Sequence, residues 1–382
     1  MKSILEYTPS ATRLIDFFYN SFITRIDNVT NNEKFDIIFI GSNDLNNCDS
    51  ILEYANIDTT YYIDSVTESS GFYGVYENTL QFKKKYNITS DKIVMICDVI
   101  SDNDFTKLTE FKIFNSKYFP FYAYLTFTHD SFSVFNGHQL QVLENLPFTI
   151  DRKKLFTSRN GRHNEFRAYT LYKLFKDNLI NDGLVSAFFY GSNNTIHKEY
   201  NDITYFNQYM DKEYWDTNVA SKLPIKIDNF FLGWDENQNA NISGNLHHND
   251  IFKDAYIDLV TENIHYSPTI FEYNTLTEKS LKPFLFYQIP LFVTYPYNLK
   301  CLRDIGFDLF DDIIDNSYDL ELDPKVRIDK IIRNLIKLKS IDLSNYFKNN
   351  KIRFINNRNL ILKLAFSNGL NDTFKLINFL NI

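Results

Sequence analysis

Blocks of apolar residues alternate with amphipathic stretches along the first 150 residues, and this alternation predicts strands and helices in turn. Strands are predicted at residues 35–41, 61–66, 92–98 and 119–127, and helices at residues 10–22 and 78–86. Near-continuous apolar strands separated by longer segments are typical of a parallel sheet covered on both faces. We therefore expect this half to be an α/β domain.

A strand, loop, helix and strand follow one another between residues 257 and 293. The first apolar run reads IDLVTEN, and an amphipathic stretch opens about a dozen residues later with TEK and ends before the apolar run IPLFV. This order is that of one unit of a parallel α/β domain. In such sheets ligands bind outside the carboxyl ends of the strands, beside helix N-termini. An acid there can accept hydrogen bonds from a ribose, and a lysine there can face phosphate.

An arginine-rich stretch precedes this unit, just after a predicted domain boundary near residue 150. A short strand from Leu155 is expected to meet a polar loop that holds Arg159 and Arg162, and Arg167 falls near the start of the next helix. Backbone N–H groups, the helix dipole and arginine together form a typical diphosphate site. A solvated loop is the alternative. Residues 184–191 predict the following strand.

Beyond this unit, the chain from residue 299 onward is predicted to be mostly helical. Residues 299–307 predict a short helix that ends at Gly306. Asp323 and Pro324 predict the start of a longer helix, because aspartate caps helices and proline is tolerated at the first position. The tail to Ile382 is also mostly helical in pattern.

The charge of the chain is unevenly distributed. Residues 1–150 hold 11 Lys+Arg against 19 Asp+Glu, whereas the rest holds 29 of each. A duplex-DNA-binding protein usually presents a basic face. Neither half is basic overall, so DNA is a disfavoured partner.

The cysteines, the histidines and the apolar stretches show no sign of a disulfide-rich, metal-binding, membrane-spanning or secreted protein. Three distant cysteines and the pair His247-His248 give no disulfide framework or metal-ligand spacing. No apolar window approaches the ~18 residues of a membrane span, and the N-terminus lacks a secretory apolar region. We expect no bound metal, no transmembrane segment and a cytoplasmic location, which would be the host cytoplasm if the source is viral.

The pattern EN, TEK, P and IP before an apolar strand resembles the donor-binding half of the α1,3-fucosyltransferases. It resembles still more closely related glycosyltransferase-like proteins of phages and large viruses, in which TEK followed by KP recurs. The arginine-rich stretch and the run Gly183-Leu-Val-Ser186 add a second similarity, in family order, so that the resemblance covers residues 155–295.

The resemblance implies two facing Rossmann-like domains (a GT-B-like fold) with a nucleotide-sugar in the cleft between them. Residues 1–150 would form the acceptor-side domain, 151–350 the donor domain, and 351–382 C-terminal helices that can cross back to the first domain. Arg167 and Lys279 would contact the diphosphate, Glu278 the ribose, and Asn263 the sugar. The wider set of implied donor-binding residues comprises Ser158, Asn160, Arg162, Arg167, Glu262, Asn263, Thr277, Glu278, Lys279 and Lys282. For Lys282 a surface lysine is the alternative, and for Glu262 a structural acid.

The implied activity is metal-independent, inverting glycosyl transfer to a hydroxyl, with a glycan as the expected acceptor and no cofactor besides the nucleoside-diphosphate sugar. The general base would come from the first domain, and Asp98, His129 and Asp130 are candidates by position at strand ends. One alternative is a viral DNA-base glycosyltransferase acting on hydroxymethylated bases. A second alternative is a non-catalytic binding protein that has kept the fold.

Overall fold

The computed structural model describes part of the chain. The described residues are 4–6, 23–25, 29, 33–41, 45, 48, 50–64, 71–97, 110–115, 146–190, 205–225, 227, 252–262, 278–369 and 375. Within them the chain forms two parallel β-sheets and eight helices. The predicted mixed α/β class is therefore confirmed.

The first sheet contains six parallel strands. They are β1 (Ile4–Glu6), β2 (Ile23–Arg25), β3 (Phe35–Gly41), β4 (Ala55–Asp64), β5 (Ile93–Cys97) and β6 (Lys112–Asn115), in the spatial order β2-β1-β3-β4-β5-β6. Helix α1 (Gly71–Tyr86) connects β4 to β5. The buried apolar residues of β3, β4 and β5 form one core with Val75 and Phe82 of α1.

The predicted elements of this half match the structure unevenly. The strand at residues 35–41 is confirmed at both ends, and the strand at 92–98 is confirmed within one residue. The strand at 61–66 proves to be the end of the ten-residue β4, while β6 was not predicted. The predicted helix at 10–22 and strand at 119–127 lie outside the described residues.

The second sheet contains four parallel strands. They are β7 (Lys154–Arg162), β8 (Gly183–Tyr190), β9 (Ala255–Thr261) and β10 (Ile289–Val293), in the order β10-β9-β7-β8. From β7 the chain moves outward to β8, then returns past β7 to β9 and continues outward to β10. The strand order therefore reverses between β7 and β9, which is the position where open α/β sheets bind ligands.

The second half also contains seven helices in its described part. They are α2 (Glu165–Lys176), α3 (Lys212–Tyr214), α4 (Glu278–Leu285), α5 (Asn298–Ile305), α6 (Pro324–Leu338), α7 (Leu343–Asn349) and α8 (Lys351–Lys363). The connections from β7 to β8 and from β9 to β10 run in opposite directions along the sheet. Because such crossovers are nearly always right-handed, α2 and α4 are expected on opposite faces of the sheet. Helix α6 packs beside α2, and α8 packs against α4.

One prediction for this half is wrong. The expected polar loop after Leu155 is strand, because β7 continues to Arg162 and pairs with β8 as far as Tyr190. Hydrogen bonds to β8 hold this part of β7 in an extended conformation, although its side chains are polar. Successive side chains of a strand point to opposite faces, so Arg159 faces away from Ser158 and Asn160.

A buried arginine holds the amino ends of the strands. Arg152 directs its guanidinium at backbone carbonyls only: Nη1 donates to Phe252 O and Ala255 O at 3.0 and 2.7 Å, Nη2 to Phe286 O and Tyr287 O at 3.1 Å each, and Nε to Thr149 O at 3.2 Å. Burial lowers the pKa of Arg152 to about 10. Nη1 and Nη2 thus join the segment before β7 to the starts of β9 and β10, while Nε bonds back to its own segment.

The C-terminal helices pack in the second half as far as the structure describes them. Phe354, Ile361, Leu364 and Ala365 belong to the same core as the second sheet. The chain beyond Gly369, apart from Lys375, lies outside the described residues, so a return to the first half stays a prediction.

Candidate functional site

The strands β7 and β9 part at their carboxyl ends. Their paired register ends at Thr157 opposite Asp258, although β7 runs on to Arg162 and β9 to Thr261. The gap coincides with the reversal of strand order. Side chains, rather than a backbone ladder, therefore join the two strands at this edge.

Three of these side chains form a buried chain of hydrogen bonds. Thr261 Oγ1 donates to Asn160 Oδ1 at 2.7 Å, and Asn160 Nδ2 donates to Ser158 Oγ at 3.2 Å and to Ser186 O at 3.4 Å. Ser158 and Asn160 were predicted from the sequence. Thr261 was missed, although its position at the end of an apolar strand, one residue before Glu262, is the signal that could have found it.

Arg167 lies in the first turn of α2 and points to the same gap. It is 4% exposed, and its Nη2 donates to Thr261 O at 3.1 Å. Asn164 begins this helix by accepting from Phe166 N at 2.8 Å. The predicted position of Arg167 near a helix start is confirmed, and its guanidinium is brought to the end of β9.

Glu262 follows β9 directly and is 3% exposed. Its N–H donates to Val293 O at 3.1 Å, which extends the β9–β10 ladder by one bond. Its Oε1 accepts from Ser280 Oγ at 2.6 Å. Ser280, a residue the sequence reasoning missed, thus ties the first turn of α4 to the strand-end acid.

Lys282 is buried, with 3% exposure, on the same helix. The alternative of a solvated surface lysine is therefore wrong. Lysine is rarely buried unless it has a partner, and Lys279 and Lys282 both make interactions with other groups of the chain. Lys279 is half-buried, one residue after the start of α4.

The remaining predicted site residues are only partly described or not described. Arg162 ends β7 and Glu278 begins α4, and the structure describes their backbone positions alone. Asp98, His129, Asp130, Asn263 and Thr277 lie outside the described residues, as does the pair His247-His248.

Arg159 is engaged on the other face of the sheet. Its Nη2 lies 3.1 Å from Asp258 Oδ2, and Asp258 also accepts from Thr157 Oγ1 at 2.9 Å. The guanidinium stacks on the Phe252 ring at 4.2 Å. These contacts make Arg159 part of a buried network that joins β7 to β9.

The helices α2, α4, α5 and α6 all begin near this edge. Tyr205 joins the starts of α2 and α6, because its N–H donates to Glu165 Oε2 at 2.8 Å and its hydroxyl to Asp323 Oδ1 at 3.5 Å. Helix α5 begins shortly after the carboxyl end of β10. Helix N-termini carry partial positive charge, so their dipoles favour an anion at this edge.

Helix α5 already holds an internal anion. Asp319 accepts from Leu299 N at 3.0 Å and from Lys300 N at 3.1 Å. Burial raises the pKa of Asp319 above its usual value, although the two backbone hydrogen bonds act in the opposite direction.

Comparisons with protein-family models, with curated proteins and with solved structures found no match for this chain. Across the described residues, no helix is long and apolar enough to cross a membrane. The same residues contain no cluster of three or more His, Cys, Asp or Glu side chains that could hold a metal ion.

Proposed function

We propose that the protein is a glycosyltransferase that binds a nucleoside-diphosphate sugar at the carboxyl edge of its second sheet. The observation that carries the proposal is the gap between β7 and β9, where the strand order reverses. Buried Arg167, Asn160, Thr261 and Glu262 converge there beside the first turn of α2. A gap between two strands, the cation of Arg167 and the N-terminus of α2 are together the features that bind a diphosphate.

In this proposal the first turn of α4 supplies the second side of the donor site. Lys279 faces the diphosphate and Glu278 accepts from the ribose hydroxyls. The Ser280–Glu262 hydrogen bond fixes this turn against the end of β9. Lys282, buried behind the turn, adds positive charge to the phosphate environment.

The proposed reaction is transfer of the sugar to an acceptor hydroxyl. The hydroxyl oxygen attacks the anomeric carbon, the bond to the diphosphate oxygen breaks, and a general base takes the hydroxyl proton. Arg167, Lys279 and the helix dipoles stabilise the charge on the leaving diphosphate. The first α/β unit faces the donor unit in a GT-B-like arrangement and supplies the base, for which Asp98, His129 and Asp130 are the candidates.

A non-catalytic protein with this fold is the second candidate, and one observation favours it. Asn160, Arg167 and Glu262 already bond to Thr261 and Ser280 within the chain. Such satisfied side chains can serve stability alone. A glycosyltransferase binds a nucleoside-diphosphate sugar and turns it over. The non-catalytic protein binds no nucleotide, or binds it without turnover.

Calorimetric titration with UDP, GDP, CMP, ADP and dTDP sugars tests the proposal. We expect one nucleotide to bind, and Glu278→Ala to weaken it by about 1–3 kcal/mol, the usual scale for losing a hydrogen bond to a charged group. Glu213→Ala is the matched control, because Glu213 is an exposed acid in the first turn of α3. Equal affinities for wild type and Glu278→Ala would remove Glu278 from the site, and no binding of any nucleotide would favour the non-catalytic candidate.

A further inference from the structure

Arg327 lies in the buried stripe of α6, in the first turn of the helix. It is 4% exposed and shares this stripe with Ile328 and Ile331. Within the described chain its guanidinium donates no hydrogen bond and forms no direct ion pair, and Nη1 is buried without a partner. Burial lowers the pKa of Arg327 to about 10, so the group stays charged at neutral pH. A buried N–H donor without a hydrogen-bond partner is destabilising.

The acids around Arg327 are engaged with other groups. Asp319, Glu321 and Asp323 are its charged neighbours, and the Tyr205 hydroxyl lies nearby. Asp319 accepts from Leu299 N and Lys300 N, Asp323 accepts from Lys325 N and Val326 N, and Glu321 pairs with Lys330. These acids lower the electrostatic cost of the cation but leave its N–H donors unused.

Arg152 is a structural arginine of the same chain, and its hydrogen bonds can be compared with those of Arg327. It is similarly buried, and burial lowers its pKa to the same value of about 10. All three of its guanidinium nitrogens nevertheless donate to backbone carbonyls. Because buried polar groups are nearly always hydrogen-bonded, the buried Nη1 of Arg327, which has no partner in the described structure, calls for an explanation that Arg152 does not.

A second unsatisfied group flanks the same carboxylate. Asn298 is 1% exposed, its Nδ2 donates to Thr294 Oγ1 at 3.1 Å, and its Oδ1 has no partner in the described structure. The next residue, Leu299, donates to Asp319. A buried donor, Arg327 Nη1, and a buried acceptor, Asn298 Oδ1, thus lie in the neighbourhood of Asp319 without partners of their own.

We propose that Arg327 binds the oxyanion of a ligand, a phosphate or a carboxylate, at the carboxyl edge beside β10. The start of α6 lies next to the start of α2, and α6 packs on β10, whereas Arg167 of α2 reaches the end of β9. The oxyanion site is therefore a second one, a strand away from Arg167. It rests on the contacts of Arg327 and stands whether or not the protein transfers a sugar.

Thermal unfolding of the full chain tests this with inorganic phosphate and malonate, each titrated against chloride at equal ionic strength. We expect Arg327→Met to raise the apparent Kd of the preferred oxyanion about tenfold or more, the scale of a lost charged hydrogen bond. Arg333→Met, an exposed arginine on the same helix, should leave the Kd unchanged. Arg327→Met also removes a cation near three acids, so the shift caused by an oxyanion is measured against each variant's own unfolding temperature in chloride. Preference for phosphate or malonate then assigns the ligand group.

Three results would overturn the inference. Wild type could show no shift with either oxyanion, or Arg327→Met could unfold well below wild type in chloride while keeping the full shift, which marks a structural arginine. The shift could also be lost in Arg167→Gln and kept in Arg327→Met, which would place the oxyanion at the proposed donor site alone. Arg327→Lys keeps the charge without the bidentate geometry, so an intermediate Kd is expected and the test holds if the methionine variant fails to fold.

Discussion

Arginines of the second half differ in whether other groups of the protein accept their hydrogen bonds. Arg152, Arg159 and Arg167 all donate to groups of the protein, to carbonyls or to Asp258. Arg327 donates to none in the described structure. Arg152, Arg159 and Arg167 therefore bond within the protein, whereas the guanidinium of Arg327 makes no hydrogen bond in the described structure.

The pair Arg159–Asp258 gives a prediction about stability. Asp258 is 1% exposed, so removing its cation leaves a carboxylate that water cannot reach. We expect Arg159→Met to lower the free energy of unfolding by about 3 kcal/mol, the low end for breaking a buried ion pair. Urea unfolding at pH 7 measures it.

A double variant controls for packing around the Phe252 ring. Arg159→Met with Asp258→Asn removes both charges and keeps an acceptor for Thr157, so it should recover most of the loss. If the single and double variants are equally destabilised, the loss comes from packing rather than from the buried charge.

Among the elements, helix α8 carries an arginine that bonds to two carboxylates outside the helix. Arg353 Nε and Nη2 contact both oxygens of Asp308 at 2.6 and 2.8 Å, and its Nη1 and Nη2 contact those of Asp312 at 3.0 and 2.8 Å. The Tyr346 hydroxyl donates to Asp312 as well. This network joins α7 and α8 to the segment that follows α5.

The network predicts acid sensitivity. Hydrogen bonds from Arg353 hold the pKa of Asp312 below its ordinary value of 3.8. Burial alone would raise the pKa of Asp308, but the bonds from Arg353 outweigh it and the pKa is lowered. A carboxylate with a depressed folded pKa stabilises the fold above its unfolded pKa, and this stability is lost as pH falls through the folded value.

The difference in unfolding free energy between wild type and Arg353→Met should therefore be constant from pH 7 to about pH 5 and shrink below about pH 4, near the unfolded pKa of aspartate. Lys351→Met, which removes a cation from the same helix, should show no such pH dependence. A difference that stays constant down to pH 3 would contradict the assignment to these two carboxylates.

Elements whose type is set by nearby residues could be predicted from the sequence. The strand β3 and the start of α6 have strong local signals, an unbroken apolar run and an Asp-Pro cap, and both were found correctly. The second half of β7 was mistaken for loop, because its polar residues are buried only through partners about 100 residues away, Asp258 and Thr261.

The same reason explains which site residues were missed. Arg167 and Glu262 could be chosen as site residues because they lie next to the ends of predicted elements. Ser280 and Thr261 belong to the site only through hydrogen bonds that form in the folded chain. Arg327 had a usable signal: a cation inside the apolar stripe that Ile328, Ile331 and Ile332 define on α6.

Over the whole molecule, the two sheets have separate cores of different character. The strands of the first sheet fall within residues 4–115 and those of the second within 154–293, on either side of the predicted boundary near residue 150. Among the described residues, most of the buried polar side chains belong to the second sheet and its helices. The acidic excess of the chain lies in residues 1–150.

This distribution of charge bears on the acceptor in the proposed reaction. A protein that holds duplex DNA neutralises several phosphates with Lys and Arg. Residues 1–150 hold 11 Lys+Arg against 19 Asp+Glu, and Lys83, Lys84 and Lys85 form their one basic cluster in the sequence. In the structure Lys83 pairs with Glu110 at 2.7 Å, and Glu110 also accepts from Ser90. The cluster therefore offers less free positive charge than its sequence indicates.

We accordingly expect duplex DNA, with or without hydroxymethylated bases, to bind weakly and to receive no sugar, because an acidic acceptor half repels an anionic polymer. The measurement is transfer of labelled sugar, from the nucleotide donor that binds in calorimetry, to phage DNA and to a panel of neutral oligosaccharides. Glu110→Gln removes the ion-pair partner of Lys83 and is the matched variant. It should raise the affinity for DNA, and by more at low salt than at a salt concentration of about 0.2 M. Label that enters DNA at moderate salt with the wild-type protein would reject the glycan acceptor and favour a DNA-base glycosyltransferase instead.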